Sequence, residues 1–144
     1  MKSKVEIMSK ILGLDLGDQW TGVALSDPSR ILAKPYITIP TATLDQFLQE
    51  LFQKESIHSV IVGCPKTMKG TASAQTQKVK IMFEHLQKVF STMTFILWDE
   101  RLSSKRAQMI HQGFSKSDKM KEHARAAAFI LDSYLTFLHQ QQET

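Results

Sequence analysis

The sequence has one cysteine, Cys64, among 144 residues. A single thiol cannot close an intramolecular disulfide, so the pattern suits a reducing compartment. Long apolar runs are missing too. No stretch approaches the roughly 18 residues that a membrane-spanning helix needs, and no membrane partner is expected. The opening MKSKVEIMSK is polar and has no apolar middle of the kind a secretion signal carries. The expected location is cytoplasmic. Internal repeats, low-complexity stretches and linker-like segments are absent as well. One domain is therefore expected over 1–144, with its core at about 11–138.

What is present is ordinary for a globular chain: 42% hydrophobic and 22% charged residues, which argues against disorder. The net charge of +4 permits an anionic partner without naming one. Lys105, Arg106, Lys116, Lys119, Lys121 and Arg125 crowd the last third. Taken singly, most are accounted for as solvated helix faces.

The hydrophobic pattern predicts strands at 11–16, 22–26 and 31–39, joined by short links as an antiparallel meander. Pro35 cannot donate to a ladder and marks the third strand as an edge. Leu44, Phe47, Leu48, Leu51 and Phe52 then recur at helical spacing after Thr43, a plausible N-cap. A buried strand is expected at 58–63 and another at 93–98. Between them, Val79, Met82, Phe83, Leu86 and Phe90 outline a second helix. A third helix is expected from Ser103 to His111, ended by Gly113, and a last one carries Ala126, Ala127, Ile130, Leu131, Tyr134 and Leu138. The order β-β-β-α-β-α-β-α implies an α/β fold: a five-stranded mixed sheet, its first three strands antiparallel, flanked by helices. Right-handed crossovers put the fourth and fifth strands beyond the first, which becomes central.

Asp15 stands inside the first apolar strand. A carboxylate there is costly unless a metal ion or a set of hydrogen bonds compensates it. Gly13 and Gly17 flank it on the same strand face, leaving room for an anion or a backbone to approach. The plainer alternative is a turn cap, with the glycines serving the hairpin. Asp99-Glu100-Arg101 follows the fifth strand, and strand ends of open α/β sheets are where sites form. A surface turn capping the next helix explains the same residues. The loop from Gly63 to Thr71 holds Lys66 and Lys69 before a helix start, where anions are favoured. It is not a Walker A loop, because the Gly-Lys-Ser/Thr order is absent. The histidines show no zinc-type spacing, and Cys64 reads as a small buried apolar residue. Trp20 falls in the first hairpin turn. It either stacks on a nucleic-acid base or packs against a sheet or a partner subunit. Trp98 reads as core.

Four blocks together resemble a known family. GLDLGDQWTGVALSD (13–27) is similar to the opening signature of YqgF (RuvX) proteins. VGCPKTMKGT, DERLSSKRA and HARAAAFILDSYL resemble its later blocks, in order, over residues 11 to about 138. The resemblance implies an RNase H-like fold and a divalent-metal nuclease related to Holliday-junction resolvases, of a family assigned to processing the 5′ end of pre-16S ribosomal RNA. It places metal-binding acids at Asp15, in the pair Asp99 and Glu100 (Glu100 preferred), and at the start of the last helix. At that third position the chain departs from the pattern, because His123 stands where the family has aspartate. Either His123 is itself a ligand, or Glu122 or Asp118 reaches in, or activity is weakened or lost.

The chemistry implied needs clustered ligands holding one or two hard cations, Mg²⁺ or Mn²⁺, that activate water and stabilise the leaving oxygen. Asp15 would bridge the ions, and Glu100 and His123 would each hold one side. Imidazole suits Mn²⁺ better than Mg²⁺. Lys66, Lys69, Arg101 and Lys105 would hold phosphates, which positions a substrate without reading its sequence. The expected partner is nucleic acid, pre-rRNA first and branched DNA second, with the chain a monomer or weak homodimer. Two other classes compete. An Asp-x-Gly strand before a hairpin also opens actin- and hexokinase-like ATP-binding folds, and ATP binding to the isolated protein would favour that class. A non-catalytic RNA-binding assembly factor would use the same surface without turnover.

Overall fold

The computed structural model describes residues 9–65, 74–99 and 119–143. The expected helix at 103–111 lies outside the described residues, as do Lys66, Lys69, Glu100, Arg101, Lys105 and Asp118.

Five strands form one sheet: β1 (Lys10–Leu16), β2 (Trp20–Ser26), β3 (Ala33–Pro40), β4 (Ile57–Cys64) and β5 (Thr94–Asp99). Their order is β3-β2-β1-β4-β5, with β1 central. β1 pairs antiparallel with β2 and parallel with β4, β2 pairs antiparallel with β3, and β4 pairs parallel with β5. The meander and the two crossovers are as the order of elements predicts.

Three helices complete the described chain: α1 (Leu44–Lys54), α2 (Ala74–Val89) and α3 (Lys119–Glu143). Leu44, Leu48 and Leu51 form the buried stripe of α1, while Asp45 in its first turn and Lys54 in its last complement the helix dipole. Strand alternation sorts the core into two layers. Leu12, Leu14 and Leu16 of β1, with Val60 and Val62 of β4, pack with Leu48, Val79 and Leu86. On the other face Ile11, Ala24 and Ile61 pack with Ala127, Ile130, Leu131 and Leu135 of α3. The sheet thus lies between α1 and α2 on one side and α3 on the other.

Two local expectations are corrected. Thr43 precedes α1, but its hydroxyl caps no helix N–H; it donates to the Pro40 carbonyl at 2.8 Å, following a 3-10 turn at Thr41–Thr43. The third strand begins at Ala33 rather than Ile31. Asp27 is the reason. Its Oδ1 accepts from the backbone N–H groups of Ile31 and Leu32 at 2.8 and 2.9 Å, and its carboxylate also accepts from the Ser29 hydroxyl. Those bonds, the Ser29 hydroxyl foremost, hold the Asp27 carboxyl at about 2. The chain is turned back before it can extend, leaving Ile31 and Leu32 exposed. Arg30 takes a left-handed φ of 61° in this turn, with its guanidinium bonded to Ser9 and its carbonyl accepting from His139 Nε2 at 2.9 Å.

Candidate functional site

Asp15 lies one residue before the end of β1, between the buried Leu14 and Leu16, and is itself partly exposed. Alternation puts it on the α3 face, in line with Ile11 and Gly13. Its partner across the β1–β2 ladder is Gly22, and Gly22 in turn pairs with Thr38 of the edge strand. This row has no side chain at Gly22, and α3 uses the space. A Cβ built on Gly22 would lie 1.8 Å from the His123 carbonyl oxygen and 2.8 Å from the Ala124 nitrogen. The last helix therefore rests its backbone on the residue opposite Asp15.

A second contact fixes the direction of the helix. A Cβ on Gly13 would meet the Ala127 carbonyl oxygen at 3.0 Å and Leu131 Cβ at 2.9 Å. From Gly13 to Asp15 the strand rises about 6.6 Å, and from Ala127 back to His123 the helix rises about 6 Å. Asp15 and His123 consequently stand at the same level of the sandwich. His123 shares its helix face with Ala127 and Ile130, at four- and seven-residue spacing, and those two are buried over β1 and β4. Glu122 is turned about 100° from that face. By helical spacing His123 lies nearer that face than Glu122 does.

Asp99 does not join them. Phe95 and Leu97 of β5 pack in the α1–α2 layer and Ile96 and Trp98 in the α3 layer, so alternation carries Asp99 to the face opposite Asp15. Among the described residues, no three His, Cys, Asp or Glu side chains gather as a metal cage. Glu100, Lys66, Lys69, Arg101 and Lys105 lie outside the described residues. Cys64 is buried and unbonded to another cysteine. Trp98 is core: its Nε1 donates to Ser133 Oγ at 3.1 Å, and its ring meets Tyr134 edge-on at 5.3 Å.

The two glycines beside Asp15 turn out to differ in use. Gly13 admits the backbone of α3. Gly17 serves the hairpin, where a Cβ would meet the Trp20 carbonyl oxygen at 2.4 Å. Sequence reasoning missed Gly22 and Thr41. Gly22 carried a usable signal, since a glycine at the start of an otherwise apolar strand marks a close backbone approach. Thr41 carried none: its hydroxyl donates to the Gly17 carbonyl at 2.7 Å and its N–H to that of Gln19 at 2.9 Å, fixing the turn beside Asp15 from 24 residues away.

A mixed five-stranded sheet with an acid near the end of its central strand, crossed by the last helix, defines the RNase H-like class. Two solved structures of RuvC from Thermus thermophilus share it. The one in complex with a Holliday junction substrate superposes with a TM-score of 0.63 at 10% identity, over 92% of this chain and 96% of that one. The other gives 0.55 at 11% identity, over 91% and 96%. The chain belongs to the RuvX family, described as Holliday junction resolvase, whose profile matches residues 9–137. Relatives from Rubrobacter xylanophilus and Thermoanaerobacter pseudethanolicus are 35% and 38% identical. The alignments cover 88% of this chain in both cases, and 91% and 95% of the relatives. Both bear the provisional name of pre-16S rRNA nuclease.

Proposed function

We propose that this protein is a metal-dependent endonuclease that hydrolyses a phosphodiester bond of pre-16S rRNA. The observation that supports the reading is the close packing of the α3 backbone at His123 against Gly22, the residue paired with Asp15. The relatives' names favour rRNA over a four-way DNA junction as substrate. The two core layers share one sheet, which supports reading the chain as a single domain.

The donor set suits a divalent cation. A partly exposed carboxylate near the end of the central strand is a hard oxygen donor of the kind a divalent cation takes. An imidazole is a borderline nitrogen donor, which favours Mn²⁺ over Mg²⁺. Asp15, His123 and Glu100 would hold the ion, Glu100 chosen over Asp99 because Asp99 lies on the far face. A bound ion supplies Lewis acidity at the phosphate and lowers the pKa of water. Lys66, Lys69, Arg101 and Lys105 are assigned to phosphate contacts.

The test is cleavage of a pre-16S rRNA transcript and of a four-way DNA junction, with Mg²⁺ and Mn²⁺ compared. Asp15→Asn should abolish cleavage of the preferred substrate while the unfolding midpoint changes little. Wild-type activity in that variant would remove the metal assignment.

A further inference from the structure

Trp20 is the residue beside this site that the proposed chemistry leaves unused. It opens β2, two residues before Gly22, so alternation places it on the same sheet face as Gly22 and Asp15. Asp15 is paired with Gly22, which makes Trp20 its diagonal neighbour across the ladder. Diagonal neighbours on one face have their Cα atoms about 7–8 Å apart. That is the scale separating a phosphate from the base of its own nucleotide.

An indole in this position has an ordinary use in a core, but Trp20 lacks the marks of one. It belongs to neither of the two core clusters. Among the described residues its indole N–H has no acceptor and its ring meets no other ring. The contrast is Trp98, which is bonded to Ser133 and wedged against Tyr134 and Phe137. Trp20 is also held firmly by its backbone. The turn before it is pinned by Thr41, and Trp20 itself pairs with Pro40. A large flat apolar ring, partly exposed among the described residues, is thus fixed next to the carboxylate.

We infer that Trp20 is a stacking platform for the base adjoining the scissile phosphate, so that the enzyme takes its substrate single-stranded at the cut. This rests on the nuclease reading. Every base has a π-face, so the contact is tolerant of sequence and selects for an unpaired strand. It positions the substrate and takes no part in proton or phosphoryl transfer.

The test uses the full chain in EDTA, so that binding is read without cleavage. The probes are a fluorescein-labelled oligouridylate of about ten nucleotides and a base-free sugar-phosphate chain of the same length. Wild-type protein should bind the oligouridylate about 5- to 100-fold more tightly than the base-free chain. Trp20→Ala should lose that margin on the oligouridylate and leave the base-free affinity unchanged, and Trp20→Phe should recover most of it. Intrinsic fluorescence should be quenched by oligouridylate in Trp98→Phe, where Trp20 is the remaining indole, and not in Trp20→Phe. Equal affinity of wild type and Trp20→Ala for the oligouridylate overturns the platform while leaving the nuclease reading standing. Failure of the wild-type protein to bind either probe overturns the platform, and failure also to cleave the pre-16S rRNA transcript with Mg²⁺ or Mn²⁺ overturns the nuclease reading.

Discussion

Replacing Gly22 by alanine adds one methyl group at the most crowded point of the α3 interface. The new carbon would stand 1.8 Å from the His123 carbonyl oxygen and 2.2 Å from its carbonyl carbon. Both are backbone atoms, so no rotamer change relieves the clash. Restoring a normal contact of about 3.5 Å requires α3 to retreat by roughly 1.7 Å. Overpacking of this kind typically costs about 2–3 kcal/mol, which for a chain of this size lowers the melting temperature by roughly 6–12 °C. The retreat also carries His123 away from Asp15, and a displacement of about 1 Å can cost on the order of 100-fold in rate. Gly22→Ala should therefore lose most cleavage activity at temperatures where circular dichroism still reports a folded chain. Gly13→Ala is the graded control. Its closest contacts, 2.9 and 3.0 Å, need a smaller shift and should give a smaller loss of both stability and rate. A Gly22→Ala protein that melts and cleaves like wild type would refute the close approach, and with it the placement of His123 beside Asp15.

His123→Asp restores the residue type that the family's C-terminal block resembles, and should preserve or raise Mg²⁺-supported cleavage relative to Mn²⁺. A loss as large as that of Asp15→Asn would count against the equivalence. The Asp27 carboxyl, held at about 2 against an ordinary 3.8, contributes stability that is complete above the unfolded value and is lost as pH falls through the folded one. The wild-type advantage over Asp27→Ala in urea midpoint should be constant above about pH 5 and shrink progressively as pH falls to about 2; a gap unchanged between about pH 5 and pH 2 would point to a different origin.

Most of the architecture was legible because it is written in periodicity. Leu12, Leu14 and Leu16 alternate, and Leu44, Leu48 and Leu51 recur helically, so layer and face follow from spacing alone. Asp15 was legible as an acid where burial is expected. The limits were set by side-chain hydrogen bonds and packing that periodicity does not encode. The start of β3 was misplaced because a side-chain hydrogen-bond set at Asp27 overrides the β propensity of Ile31 and Leu32. The face of Asp99 depends on where β5 ends its alternation. The facing of α3, which bears on His123 and Glu122, depends on its packing at Gly13 and Gly22.

The two halves of the candidate site come from opposite ends of the described chain, Asp15 from its first strand and His123 from its last helix. A chain synthesised only as far as β5 has one half of the site and lacks the α3 layer of the core. Contacts of such long range are also the last to be rewarded during folding, because loop closure must come first. Competence to cut would then arise late, when α3 closes on Gly22. The docking of that single helix would separate an inert folding intermediate from a working nuclease.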